Sequence, residues 1–204
     1  KDPVPGYNMV LTIDADLQRA AWQAIEGKAG SAVAMDPRDG SILAMVSSPS
    51  FDPNLFNEGI SGELWNQLQS NPFAPLSNKA ISGQYPPGST YKLIVAAAAL
   101  EEGIITPDTK VFCNGFFTLG NRTYRCWKRG GHGHVDLHKA IVGSCDVYFY
   151  TVGKMLGVDK IAEYARRFGL GETAGIDLPN EKKGLVPTKD WKLKKKKEAW
   201  QMGE

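Results

Sequence analysis

An uninterrupted apolar run, residues 93–100, follows the segment QYPPGSTYK and constrains the fold more than any other feature of the sequence. A helix over this run is apolar on every side, which predicts that it is buried among other elements. The run is far too short to cross a bilayer, so it indicates a helical core and not a membrane span. With 204 residues, of which 42% are hydrophobic, the chain is long enough to enclose such a core.

One β-hairpin is predicted, at residues 31–48, because two strand-like segments flank the turn-forming sequence PRDG. It is the only convincing pair of strands in the sequence. Since a lone hairpin is marginal in water, we expect it to join a larger sheet or to pack on helices.

Helical periodicity predicts helices at residues 14–25, 63–68, 135–142, 147–156 and 158–168. Asp14 or Asp16 is a plausible N-cap for the first, and Gly169 ends the last. Residues 104–134 have no clear period, and the lysine run at 192–197 predicts a solvated loop. We therefore expect an α+β fold in which the hairpin belongs to a sheet and residues 84–170 form a mainly helical subdomain.

The charge balance of 24 basic against 22 acidic residues gives a net charge of +2, and much of the excess lies in the lysine run. This distribution argues against a nucleic-acid partner, which would need basic residues spread along one face. The sequence does not begin with Met, has no signal peptide and stops without a closing element. We therefore expect a piece of a longer protein, whose anchor or targeting segment lies outside these residues.

Ser89 and Lys92 form the only Ser-x-x-Lys motif in the sequence, at the start of the apolar helix. Residues three apart share one face of a helix, so the lysine amine can reach the serine hydroxyl. A serine becomes an effective nucleophile when a base takes its proton. The N–H groups at a helix N-terminus also favour a developing oxyanion. The alternative is that Ser89 only caps the helix, since serine is among the best N-cap residues.

A serine–lysine acyltransferase should have a second motif after the nucleophile, Ser-x-Asn or a variant of it. Residues 144–146, with the sequence SCD, have this form and lie between two predicted helices. Residues 50–52, with the sequence SFD, have the same form but precede the nucleophile and lie in a loop. Position therefore selects Ser144 and Asp146, with an N-cap for the following helix as the alternative for Ser144.

Five segments together resemble the transpeptidase domain of class B penicillin-binding proteins, most closely that of elongation-type penicillin-binding protein 2: LTIDADLQ, SAVAMDPRDGSILAMVSSPSFDPN, QYPPGSTYKL, GSCDVYFY and AGIDLP. They occur in the right order over nearly the whole chain. The resemblance implies that residues 1–204 are the N-terminal part of a transpeptidase domain with the penicillin-binding serine–lysine fold. In that fold the C-terminal strands of the sheet would be absent from this chain.

This family implies a peptidoglycan D,D-transpeptidase that cross-links stem peptides ending in D-Ala-D-Ala through a serine acyl-enzyme. It implies covalent inhibition by β-lactams, a part in cell-wall elongation and cell shape, and membrane partners in an elongation complex. The protein would lie at the periplasmic face of the inner membrane, held by an N-terminal anchor.

The family's roles transfer by position. Ser89 matches the nucleophile, Lys92 the base and Ser144 the hydroxyl that relays a proton to the leaving amine. Asp146 matches the third position of the second motif, where many relatives have Asn. A third motif, Lys-Thr-Gly or Lys-Ser-Gly, occurs nowhere in the 204 residues. In the family it supplies one oxyanion N–H and the contact for the substrate carboxylate, so we expect this chain to be poorly active or inactive alone.

The three cysteines, Cys113, Cys126 and Cys145, cannot all be used up by internal disulfides. Together with His132 they give Cys-x12-Cys-x5-His-x12-Cys, a Cys3His set of the ligand types that zinc prefers. In the elongation-type relatives that this chain resembles, Asp, His and Cys residues at the corresponding positions form a metal site. In this chain, cysteine thiolates would take the place of the aspartate carboxylates. A Cys113–Cys126 disulfide and inert buried thiols are the alternatives.

Two other histidines compete for the nitrogen ligand. His134 is close enough in sequence to replace His132, whereas His138 falls within a predicted helix and more simply faces solvent. For the whole chain, the enzymatic alternative is a β-lactamase or D,D-carboxypeptidase of the same fold, in which water takes the acyl group. The non-enzymatic alternative is a penicillin-binding sensor module whose serine is not catalytic.

Overall fold

The computed structural model describes residues 6–57 and 59–201 and is α+β, as predicted. It divides into two compact units. The first runs to Gly83 and includes Leu178–Lys182, and the second comprises Gln84–Asp177 and the chain from Lys183 onward. The predicted irregular start and unclosed end include residues 1–5 and 202–204, which lie outside the described residues. Residues 6–14 contain neither helix nor strand.

In its described residues, the first unit contains the predicted hairpin, three α-helices and one 3₁₀ helix. Its elements are α1 (Ala15–Ile25), β1 (Gly30–Met35), β2 (Ile42–Ser48), a 3₁₀ helix (Pro53–Phe56), α2 (Gly62–Ser70) and α3 (Lys79–Ser82). The two strands pair antiparallel, as predicted. Asp14 is the N-cap of α1, because its carboxylate accepts hydrogen bonds from the backbone N–H groups of Asp16 and Leu17.

Two hydrogen bonds from the side chain of one glutamine connect helix α1 to strand β2. The side-chain amide of Gln18 donates to Met45 O at 2.8 Å and accepts from Met45 N at 2.7 Å. Ala44 and Val46, the neighbours of Met45 on β2, are buried. The hairpin thus packs on a helix, in agreement with the expectation that it is not free-standing.

The second unit has most of the buried apolar side chains. Its elements are a 3₁₀ helix (Gly88–Tyr91), α4 (Lys92–Glu101), β3 (Val111–Cys113), β4 (Phe116–Leu119), β5 (Arg122–Arg125), β6 (Gly133–Val135), α5 (Leu137–Val142), α6 (Asp146–Leu156), α7 (Val158–Arg167) and α8 (Lys189–Lys196). Strand β3 pairs with β6, and β4 with β5, both antiparallel. None of the helices within the described residues is long and apolar enough to cross a membrane.

Helix α4 lies at the centre of this unit, against α6 and α7. Four small residues form its buried side: Val95, Ala96, Ala98 and Ala99. Small side chains let the neighbouring helices approach closely, which accounts for the uninterrupted apolar run. The predicted burial of this helix holds for that side only, because Leu93 is 57% exposed and Leu100 is 38% exposed.

The prediction that residues 31–48 contain the only strand pair is also wrong, since residues 111–135 form two further pairs. These strands are only three or four residues long, too short to show a period. Glycines permit the close backbone approach that holds this segment together. A Cβ on Gly131 would meet Cys113 O at 2.1 Å, so no other residue fits there without displacement.

The lysine run is helical, so the prediction of a solvated loop at residues 192–197 is wrong. Helix α8 begins after Thr188, whose hydroxyl accepts from Trp191 N at 3.1 Å. Lysine has a good helix propensity, and lysines in the last turn interact favourably with the helix dipole. Lys192 is buried, and its ammonium lies 3.6 Å from Glu198.

Candidate active site

Ser89 lies in the 3₁₀ helix that leads into α4, and its side chain is exposed. The N-cap of that 3₁₀ helix is Pro87 and the N-cap of α4 is Tyr91, both without a side-chain cap bond. The capping alternative for Ser89 is therefore wrong. Backbone N–H groups in the first turn of a helix lack partners within the helix, so this is a favourable place for a developing negative charge.

Lys92 is the centre of the polar contacts around this serine. Its ammonium donates to Ser144 O and Ser144 Oγ, each at 3.0 Å, and lies 2.5 Å from Asp146 Oδ1. It also lies 5.8 Å from the centroid of the Phe149 ring. The side chains of Lys92 and Asp146 are 15% and 21% exposed, so this ion pair is largely shielded from water.

Ser144 joins the lysine to Ser89. Its hydroxyl donates to Ser89 Oγ at 3.0 Å and accepts from Lys92 Nζ at 3.0 Å. The sequence predicted a direct contact between Ser89 and Lys92, but among the hydrogen bonds of the described residues the lysine reaches Ser144 instead. The structure therefore brings all four predicted residues together, with Ser144 between the nucleophile candidate and the base candidate.

Ser144 has an unusual backbone conformation, with φ at +46° in the left-handed region. This conformation costs a residue other than glycine roughly 1–2 kcal/mol. It is held by the bonds from Ser144 N to Ile141 O at 3.1 Å and from Cys145 N to Ala140 O at 2.8 Å. The N-cap of α6 is Cys145, so the capping alternative for Ser144 is wrong as well.

A second cluster lies directly beside this site. The ligand atoms of Cys113, Cys126, His132 and Cys145 all lie within 4.8 Å of one another. His132 Nδ1 is 3.6 Å from the Cys113 sulfur and 3.5 Å from the Cys126 sulfur. All three cysteines are buried and none forms a disulfide.

The pKa values of two of these thiols are shifted in opposite directions. Burial raises the pKa of Cys145 to about 12, and the neighbouring Cys113 adds to the shift. Burial is also the largest influence on Cys113, but hydrogen bonds from the backbone of His132 and Gly115 and from the other two thiols outweigh it and lower the pKa of Cys113. Cys113 is therefore the more easily ionised of the two.

The donor set fits a divalent metal of the zinc type. Tetrahedral zinc with zinc–sulfur bonds of about 2.3 Å places its ligand atoms roughly 3.5–4 Å apart, and the two sulfur–nitrogen distances agree with that spacing. His134 belongs to β6, is exposed and contacts the Phe112 ring. His138 is exposed on α5, as predicted. Of the three histidines, only His132 is part of the cluster.

The sequence did not indicate one residue of this region, Trp127. Its backbone N–H donates to Asp146 Oδ2 at 3.0 Å, and its indole Nε1–H donates to Gly143 O at 3.0 Å. The available signal was its position next to Cys126, because a residue that follows a ligand in sequence is placed close to the site.

Comparison with known proteins gives consistent matches. Residues 30–201 match the family described as Transpeptidase: Penicillin binding protein transpeptidase domain. The chain is 45% identical over 206 residues to the Peptidoglycan D,D-transpeptidase MrdA of Acinetobacter baumannii, a match that covers 100% of this chain and 31% of that protein. The chain thus spans about a third of the length of this curated relative.

Solved structures match over nearly the whole of this chain. A crystal structure of Pseudomonas aeruginosa PBP2 in complex with WCK 5153 has a TM-score of 0.92 and 44% identity, covering 100% of this chain and 45% of that one. A structure of the complex between PBP2 and MreC from Helicobacter pylori has a TM-score of 0.90 and 39% identity, covering 94% of this chain and 36% of that one.

Proposed function

The chain belongs to the penicillin-binding protein transpeptidase domain family, and from this we propose that the protein containing it is a peptidoglycan D,D-transpeptidase with Ser89 as nucleophile. The family and the α+β transpeptidase fold that the motifs predicted are confirmed. The observation that carries the proposal is the continuous hydrogen-bond path from Ser89 Oγ through Ser144 Oγ to Lys92 Nζ. It connects a nucleophile, a relay and a base.

In the first half-reaction, Ser89 Oγ attacks the carbonyl carbon of the penultimate D-alanine of a stem peptide. In the structure the Lys92 ammonium donates to Ser144, and Ser144 donates to Ser89. Lys92 must therefore first lose a proton; the two hydroxyls then turn, so that the Ser89 proton passes through Ser144 to the neutral Lys92 amine. The amide bond to the last D-alanine then breaks, and Lys92 returns the proton through the Ser144 hydroxyl to the leaving amine nitrogen. Free D-alanine and an ester on Ser89 are the products.

In the second half-reaction, the amine of another stem peptide attacks the ester carbonyl. A new amide bond forms, the bond to Ser89 Oγ breaks, and the proton lost by the attacking amine returns to the serine along the same path. Among the hydrogen bonds of the described residues, those of Asp146 go to Lys92 and Trp127 and not to Ser89. We propose that it fixes the position of the Lys92 amine through the 2.5 Å contact.

The 204 residues contain no Lys-Thr-Gly or Lys-Ser-Gly. We propose that a later segment of the protein supplies this motif, with one oxyanion donor and the contact for the substrate carboxylate. The 204-residue chain should then be acylated by a penicillin more slowly than a form containing that segment, by roughly 10²–10³-fold for one oxyanion donor. Equal acylation rates for the two forms would refute this assignment.

We propose that Cys113, Cys126, His132 and Cys145 hold one structural zinc. Four protein ligands leave no open coordination position, so the metal would stabilise the fold and take no part in acyl transfer. Its effect on the site would come through Cys145, which lies between Ser144 and Asp146. The disulfide alternative does not account for His132, whose Nδ1 lies 3.6 Å from the Cys113 sulfur and 3.5 Å from the Cys126 sulfur.

Location and partners follow from the same function. The peptidoglycan substrate of such a transpeptidase lies outside the inner membrane. The protein would therefore act at the periplasmic face, with a segment outside these residues as its anchor. The PBP2 of Helicobacter pylori forms a complex with MreC, and a comparable elongation-complex partner is proposed here. β-Lactams, which mimic D-Ala-D-Ala, should acylate Ser89.

A product analysis distinguishes this function from its alternatives. The full-length protein is incubated with a stem peptide ending in D-Ala-D-Ala, with and without an amine acceptor, and the products are separated by mass spectrometry. A transpeptidase releases D-alanine and forms the cross-linked peptide when the acceptor is present. A carboxypeptidase would yield the shortened peptide even with acceptor in excess, and a sensor module would release no D-alanine.

A further inference from the structure

Trp127 contacts the residues on both sides of the Ser144–Cys145 pair. Its backbone N–H donates to the Asp146 carboxylate oxygen that Lys92 does not contact. Its indole N–H donates to Gly143 O, on the other side of Ser144. Trp127 therefore hydrogen-bonds both to the peptide group between Gly143 and Ser144 and to the Asp146 carboxylate that contacts Lys92.

Packing around Gly143 leaves little freedom for that peptide group. A Cβ added to Gly143 would lie 3.0 Å from Lys139 O and 3.4 Å from Cδ2 of the His132 ring. His132 in turn meets Trp127 edge to face, with ring centroids 5.4 Å apart. Gly143 thus lies against the histidine of the metal cluster while its carbonyl is held by the indole.

The next residue is Ser144, with its left-handed backbone. A strained conformation persists only where its surroundings determine it, and the Gly143 carbonyl belongs to the peptide group that sets the Ser144 φ angle. In this backbone conformation the Ser144 hydroxyl lies 3.0 Å from both Ser89 Oγ and Lys92 Nζ.

We propose that Trp127 is a positioning residue for acylation, whose indole N–H holds Ser144 in its left-handed conformation through the Gly143 carbonyl. The inference rests on the proposed function, because it concerns the same proton path. The indole does not reach Ser89 or Lys92 within the described contacts, so Trp127 acts through Ser144. Trp127 is 65% exposed, so burial of its ring contributes little to the stability of the core.

Two substitutions separate the donor from the ring. Trp127→Phe keeps an aromatic ring and loses the N–H donor. Trp127→Gln loses the ring and keeps an N–H the same number of bonds from Cα. The matched control is Trp65→Phe, because Trp65 lies on α2 in the other unit and packs edge to face on Phe56.

The experiment uses the full-length, metal-loaded protein and a chromogenic β-lactam. Stopped-flow measurements separate the dissociation constant of the non-covalent complex from the acylation rate constant. Trp127→Phe should lower the rate constant by about tenfold, the scale of one hydrogen bond, with less than about threefold change in the dissociation constant. Trp127→Gln should retain more of the rate constant than Trp127→Phe, and both should keep the metal and melting temperature of Trp65→Phe.

Three outcomes would overturn the inference. They are an unchanged acylation rate constant in Trp127→Phe, a larger loss in Trp127→Gln than in Trp127→Phe, and a loss of rate that accompanies loss of the metal. If Trp65→Phe and the unsubstituted protein also fail to form an adduct, the proposed function itself has failed. The control therefore distinguishes the two failures.

Discussion

Replacing Ser144 by alanine and by glycine separates the function of its hydroxyl from the strain of its backbone. Both substitutions remove the hydroxyl that links Ser89 to Lys92. Acylation should therefore fall in both by about 10²–10⁴-fold, the usual contribution of a positioned proton transfer. Stability should differ between the two variants, because only glycine adopts a φ of +46° without steric cost.

The size of that difference follows from two opposing effects. Glycine relieves the roughly 1–2 kcal/mol that the left-handed conformation costs alanine, and it loses roughly 0.5–1 kcal/mol through the greater freedom of the unfolded chain. The net gain of Ser144→Gly over Ser144→Ala is therefore about 0–1.5 kcal/mol, centred near ~0.75 kcal/mol. This corresponds to at most about 6 °C in melting temperature for a domain of this size.

The assay combines thermal unfolding with stopped-flow acylation of the same preparations. The reasoning is refuted if either variant is acylated at the rate of the unsubstituted protein, since a hydroxyl relay would then be unnecessary. It is also refuted if glycine is the less stable variant, since the strain at Ser144 would then be absent.

Three further predictions concern the base, the metal cluster and an ion pair away from both. Lys92→Ala should slow acylation of the full-length protein by about 10²–10⁴-fold in the same stopped-flow assay, because no base remains on the path; a loss smaller than tenfold would contradict its role. Elemental analysis should find about one zinc per chain, and Cys113→Ser should lower both zinc content and melting temperature, whereas the matched His138→Ala should change neither. The hydrogen bond from Lys160 is the main cause of the lowered pKa of Glu102. The interaction between these two residues therefore stabilises the folded state fully at pH values above 4.5, the ordinary pKa of Glu102. This stabilisation is lost as the pH falls through the lowered pKa of Glu102. Glu102→Gln should therefore reduce the melting temperature more at pH 7 than at acid pH, where protonation of the Glu102 carboxylate removes the same interaction. An equal reduction at both would contradict this origin.

The sequence predicted the parts of the fold that have strong local signals. The hairpin followed from a turn between two strand-like segments, and α1 followed from its helical period and from Asp14 as its cap. The short strands between residues 111 and 135 had no such signal, because three or four residues do not define a period. Their positions are set by tertiary contacts, such as the approach of Gly131 to the Cys113 backbone.

The sequence predicted the residues of the candidate site but not the hydrogen bonds between them. Motif spacing selected Ser89, Lys92, Ser144 and Asp146, and the structure brings them together. The hydrogen bond from Lys92 to Ser144 joins residues 52 apart in sequence, and no local pattern indicates either this contact or the left-handed backbone at Ser144. Trp127 was missed for a related reason, since its two hydrogen bonds join segments far apart in sequence.

The lysine run shows that charge composition alone does not predict secondary structure. Charge alone favoured a solvated loop, yet Thr188 caps a helix there and lysine is a good helix former.

The central claim is that Ser89 is the acylated nucleophile, and one mass-spectrometric experiment tests it most directly. The full-length protein and its Ser89→Ala variant are incubated with benzylpenicillin, and intact masses and peptide maps are recorded. The account predicts a mass increase of one penicilloyl group, mapped to the peptide containing Ser89, and no increase in the variant. An adduct on Ser144, or one that survives Ser89→Ala, would contradict the account.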